Sequence, residues 1–183
     1  MLILILGVLL WAGAHLFKRL APAKRAALGD KKTAPLVATS LLVAIVLMVI
    51  GFRMAPVVDL WTPPAFLRHL NNLLVLIAIY MMSPAPKRGA LLSGMRHPML
   101  LGFALWAVAH LLVNGDLAAL VLFGGLLLWA LTEIVVINRA EPVWEGREKG
   151  SYGKDAMFFA ASVVLYGVIG LIHGWVGPSP FPM

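Results

Sequence analysis

Residues 11–16 read Trp-Ala-Gly-Ala-His-Leu and residues 106–111 read Trp-Ala-Val-Ala-His-Leu. Each phrase sits in a long apolar run and sets an imidazole one helical turn after an indole. Two further histidines, His69 and His97, flank apolar runs of their own. Ionisable side chains within membrane spans are costly and mark functional sites. Imidazoles can ligate a metal, shuttle protons or cap a carbonyl. Zinc asks for three or four close ligands, and no His-x-x-x-His or acidic pair supplies them here. Haem b asks only for one or two imidazoles from separate helices and an apolar slot, so haem is the metal cofactor these residues fit best. Trp11 and Trp106 could line the slot, although aromatic packing between helices is their default role. His173, beside Trp175, reads as interfacial.

The elements that must position these side chains follow from composition. The chain has 183 residues, 61% hydrophobic and 13% charged, with a mean hydropathy of +0.92. A soluble domain carries about a quarter of its residues as charges, so this chain reads as an integral membrane protein. Apolar runs cover 1–17, 35–52, 66–83, 99–113, 117–138 and 156–175. They predict an all-α bundle of about six transmembrane helices forming one domain over 1–183. The first run has no positive start or small-residue cleavage site and reads as a retained helix with its N-terminus outside. Loops one, three and five then hold thirteen of the fifteen Lys and Arg residues, leaving only Arg53 and Arg68 outside. The positive-inside bias therefore predicts an N-out, C-out topology. The net charge of +7 reflects that bias, and no nucleic-acid partner is expected.

Cysteine is absent, which excludes disulfides, thiolate metal sites and covalent haem attachment. The two Trp-His phrases invite an inverted-repeat reading, but spans two and five, and three and six, share no matching phrase. Depth along the helices suggests two levels. His15, His97, Arg96, Glu133 and Arg139 belong near the inner face. His110, about 20 Å beyond His97, shares the outer level with His69. By depth alone the pairs are His69 with His110 and His15 with His97.

The run from Arg96 to Leu131 resembles the NnrU family: Arg96-His97-Pro98 opens a helix, Trp106 to His110 lies within it, and Asn114-Gly115-Asp116 follows as the stop. The histidine ending span one and Arg68-His69-Leu70 opening span three are similar to the family too. The resemblance implies a multi-pass protein of the bacterial inner membrane associated with denitrification, in nitrite and nitric oxide metabolism. It also implies kinship with the plant 15-cis-ζ-carotene isomerase, an integral haem b enzyme. By that kinship His15 and His110 are the haem ligands, against the depth pairs. The plant enzyme carries a cysteine three residues before its second haem histidine, tied to redox-dependent ligand exchange. Ala107 stands there in this chain, so a thiolate switch is unavailable. A redox partner, or a lipophilic substrate such as a polyene or quinol, is the expected company of such a site.

Two other readings compete. Arg-His-Pro before a membrane helix also resembles the isoprenylcysteine and phospholipid methyltransferases, which bind S-adenosylmethionine there. Arg139, Glu141 and Gly150-Ser151-Tyr152-Gly153 are faint matches to the rest of that pattern, and Pro142 replaces its second glutamate. A non-catalytic haem sensor or assembly factor is the other alternative.

Overall fold

In a computed structural model, which describes residues 1–181, the chain is helical and has no strand among the described residues. Each apolar run becomes a helix: α1 (Leu2–Leu20), α3 (Asp30–Arg53), α4 (Leu67–Met82), α6 (Pro98–Leu111), α8 (Gly125–Ala140) and α9 (Tyr152–Val176). Short helices α2 (Pro22–Leu28), α5 (Ala85–Arg88) and α7 (Leu117–Ala119) lie between them, and a single π turn, Leu120–Gly124, joins α7 to α8. Among the described residues four stretches are long and apolar enough to cross a membrane: Leu2–Leu20, Lys31–Arg53, Leu117–Ala140 and Tyr152–Val176. The two remaining apolar helices, α4 and α6, have 16 and 14 residues. At 1.5 Å per residue they reach about 24 and 21 Å, less than the roughly 30 Å of hydrocarbon.

Many large apolar side chains face outward, among them Leu9, Leu42, Leu128 and Val164, each more than 60% exposed. In water such a surface drives aggregation, whereas acyl chains solvate it. The chain is a membrane protein.

One expected boundary moves. The apolar run predicts a second span opening at Pro35, whereas α3 begins five residues earlier and carries Pro35 inside it. Proline removes the hydrogen bond to the carbonyl four residues back, that of exposed Lys31 in the first turn. Buried Thr33 secures that turn by donating to the Gly29 carbonyl at 2.7 Å.

The chain forms two compact units. The first comprises Met1–Thr62 and Asn114–Pro142. Here α1 and α3 pack antiparallel at backbone contact, with Gly51 against Leu4 and Gly7 against Met48 and the Ala44 carbonyl. Helix α8 runs parallel to α1. Val8 meets Gly125, Trp11 meets Trp129, and Arg19 ion-pairs with Glu141 at 2.8 Å. At the opposite end the 58–61 segment is laced to 115–117 by Leu60 N–H to the Gly115 carbonyl (2.8 Å) and Leu117 N–H to the Val58 carbonyl (2.9 Å). The stop at Asn114-Gly115 is thus also a docking point.

The second unit comprises Pro63–Val113 and Val143–Met183. Helices α4 and α6 are antiparallel, for Asn71 lies on the Ala109 carbonyl while Met81 and the Ala78 carbonyl lie at Gly102. Pro98 takes the first helical position of α6, as its fixed φ and missing N–H favour. Helix α9 starts where α4 ends: Tyr80 donates its hydroxyl hydrogen to Asp155 at 2.7 Å.

Candidate functional site

Both Trp-His phrases build the same local structure. His15 Nδ1 lies 3.0 Å from the Trp11 carbonyl, and His110 Nδ1 lies 2.9 Å from the Trp106 carbonyl. A carbonyl only accepts, so each Nδ1 carries the hydrogen, and in neutral imidazole the lone pair then belongs to Nε2. The indole one turn back lies against each ring, with centroids 4.4 Å apart for Trp11 and His15 and 4.8 Å for Trp106 and His110. Helical spacing four residues apart produces the arrangement without help from elsewhere. Metal-bound histidines are held in this way, the second nitrogen donating to a carbonyl that sets tautomer and ring orientation. Among the described residues no three His, Cys, Asp or Glu side chains converge on one point. Haem, which brings four nitrogens of its own, asks for no such convergence.

In the first unit His15 is flanked by a second indole: its ring centroid is 4.6 Å from that of Trp129 on α8. Trp129 is buried and meets Trp11 edge to face at 5.4 Å. One turn further along α8 stands Glu133, whose Oε2 is buried with no hydrogen-bond partner among the described residues. Because α1 and α8 are parallel, and Glu133 falls between the Trp129 and Glu141 contacts, Glu133 shares the depth of His15. The sequence pattern predicts His15 and Glu133 at one level but gives Trp129 no part in it. Its signal was there: Trp129 precedes Glu133 by four residues, a third indole one turn before an ionisable group.

In the second unit the antiparallel packing of α4 and α6 sets His69, at the start of α4, at the same end as His110, near the end of α6. His97, the N-cap of α6, stands at the other end of that 14-residue helix. His97 and His110 therefore cannot serve one iron. His69 is exposed whereas His110 is partly buried. His173 is exposed and binds the Pro178 carbonyl through Nδ1 at 2.8 Å. The polar group expected near the inner face is divided between units: His15, Glu133 and Arg139 fall in the first, Arg96 and His97 in the second.

A further polar centre in the second unit was not anticipated. Asp155, 4% exposed in the first turn of α9, accepts from the Tyr80 hydroxyl and from the backbone N–H groups of Ala90 (2.7 Å) and Leu91 (3.1 Å). It ties the 83–97 connection to two helices. Gly89 is required beside it, since a Cβ there would collide with Asp155 Oδ1. Gly150 N–H donates to the Gly89 carbonyl at 3.1 Å, which joins the 143–151 connection to the same centre. The signal available in sequence was a lone carboxylate opening an otherwise apolar helix, a place where burial demands partners.

Helices of this length and apolarity define a polytopic helical membrane protein, with two imidazoles each held by the carbonyl one turn back. The family described as NnrU protein matches residues 3–180, and the chain belongs to that family. No curated protein and no solved structure matches it.

Proposed function

We propose that the protein is a haem b-binding protein of the bacterial inner membrane with six spans in an N-out, C-out topology, serving denitrification or a redox-dependent isomerisation. The observation that carries the reading is the matched geometry of His15 and His110, each with Nδ1 held by the carbonyl one turn back and an indole against its ring. In this reading His15 and His110 are haem ligands, each within its own unit, with Trp11 and Trp129 beside the His15 ring and Trp106 beside the His110 ring to fix the imidazole planes. Haem supplies one-electron redox chemistry when bound. His69, exposed at the same end of its unit as His110, is the weaker candidate.

The topology has its own support. Within the first unit Lys18, Arg19, Lys31, Lys32 and Arg139 lie at one end, and within the second Lys87, Arg88, Arg96 and Arg147 do. Each unit thus has one basic end, as the positive-inside bias requires. The methyltransferase alternative gains nothing comparable. Glu141 is taken up by Arg19, and Ser151 caps α9 by accepting from Lys154 N–H.

The test is an absorption spectrum of protein purified in mild detergent after expression with ample haem. A Soret band is expected. His15→Ala and His110→Ala should each turn a low-spin spectrum high-spin or lose haem, while His69→Ala and His97→Ala leave coordination intact. Absence of the band, or an unchanged spectrum in His110→Ala, overturns the reading. Saturable binding of S-adenosylmethionine, lost in His97→Ala, would favour the methyltransferase instead.

A further inference from the structure

The basic end of the second unit holds a cleft of about 200 Å³ at the start of α6. Lys87, Arg96, His97 and Arg147 line it together with Met81 and Met99. No acidic side chain among the described residues contributes to its wall. Arg147 is held in place by backbone, donating to the Met95 and Arg96 carbonyls, the latter at 3.0 Å. Carbonyls orient a guanidinium without neutralising it. No carboxylate among the described residues ion-pairs with Arg147 or Lys87, so both charges remain available to an anion.

The floor of the cleft adds a second, independent attraction. Helix α6 has no side-chain cap at its N-terminus. Its first hydrogen-bonded turn closes from Leu101 N–H to the His97 carbonyl, and Pro98 has no N–H to offer. The amides of Met99 and Leu100, both in the cleft wall, therefore have no intrahelical acceptor and sit at the positive end of the helix dipole. Oriented N–H groups with basic side chains above them are the elements of a phosphate site.

Size and surroundings narrow the phosphate's source. Pockets for drug-sized ligands run to about 300–1,000 Å³, so this cleft admits a headgroup more readily than a whole nucleoside cofactor. Apart from Ser83 its non-basic wall is apolar, and Met99 is 60% exposed. A chain attached to the bound phosphate would run directly onto an apolar surface. We infer that the cleft is a binding site for the phosphate headgroup of an acidic phospholipid, with Lys87 and Arg147 as its principal cations. The site does not depend on the haem reading.

Native mass spectrometry of the detergent-solubilised protein tests it, with phosphatidylglycerol, phosphatidylcholine and inorganic phosphate offered in separate arms. Wild type should retain one phosphatidylglycerol in clear preference to phosphatidylcholine, and Lys87→Gln/Arg147→Gln should reduce retention about tenfold. Arg147→Lys should restore part of it. Because Lys87 is exposed, Lys87→Gln alone leaves the fold intact and should still weaken retention severalfold. Equal retention of the two lipids, or no loss in Lys87→Gln and in the double variant, overturns the proposal. Phosphate binding without lipid retention assigns the cleft to a free anion and overturns it as well.

Discussion

The contact between α1 and α3 permits a prediction with an internal reference. At Gly51 an added Cβ would lie 2.6 Å from Leu4 Cα and 2.9 Å from Ile3 C, and closer still to Leu4 N. All three are backbone atoms, so no side chain can swing away. Ordinary contact begins near 3.4 Å, and Gly51→Ala must therefore push the helices about 1 Å apart locally. Overpacking of this kind costs about 1–3 kcal/mol. Alanine offsets part of that through helix propensity, worth about 1 kcal/mol over glycine. Gly13, in α1 itself, has nothing within 4 Å of the same added carbon, so Gly13→Ala gains the propensity without the collision. The two variants should then differ by the steric cost alone, about 1–3 kcal/mol, with Gly13→Ala the more stable. Equilibrium unfolding in mixed dodecyl maltoside and SDS micelles, followed by far-ultraviolet circular dichroism, measures the difference. Equal stability of the two variants would refute backbone contact at Gly51.

Other consequences are as direct. Asp155→Ala removes all three hydrogen bonds to the carboxylate and should lower the thermal midpoint, read by tryptophan fluorescence, well below Tyr80→Phe, which removes one; a midpoint equal to wild type would show the centre to be dispensable. In haem-free protein, long-range ¹H–¹⁵N spectra should find His15 and His110 as the Nδ1–H tautomer, and the Nε2–H tautomer at either would remove the basis for ligation there. The same spectra of Trp129→Ala should show greater mobility of the His15 ring and no change at His110, whose indole neighbour is Trp106.

Much was legible in sequence because it is local. The apolar runs mark the helices since hydropathy belongs to each residue, and Pro98 and Asn114-Gly115 punctuate them through backbone chemistry of their own. Each Trp-His pair follows from helical spacing, which needs no partner helix to bring Nδ1 to the carbonyl four residues back. Tertiary structure decided which faces meet: that α8 lies parallel to α1 and lays Trp129 on His15, that Tyr80 reaches Asp155 across 75 positions, and that Lys87 and Arg147 line one cleft. In a soluble helix the buried face announces itself as an apolar stripe. In lipid the outward face is apolar too, so the stripe disappears. Packing is then selected by small residues such as Gly51 and by a few buried polar groups, whose partners emerge only once the backbones are brought together.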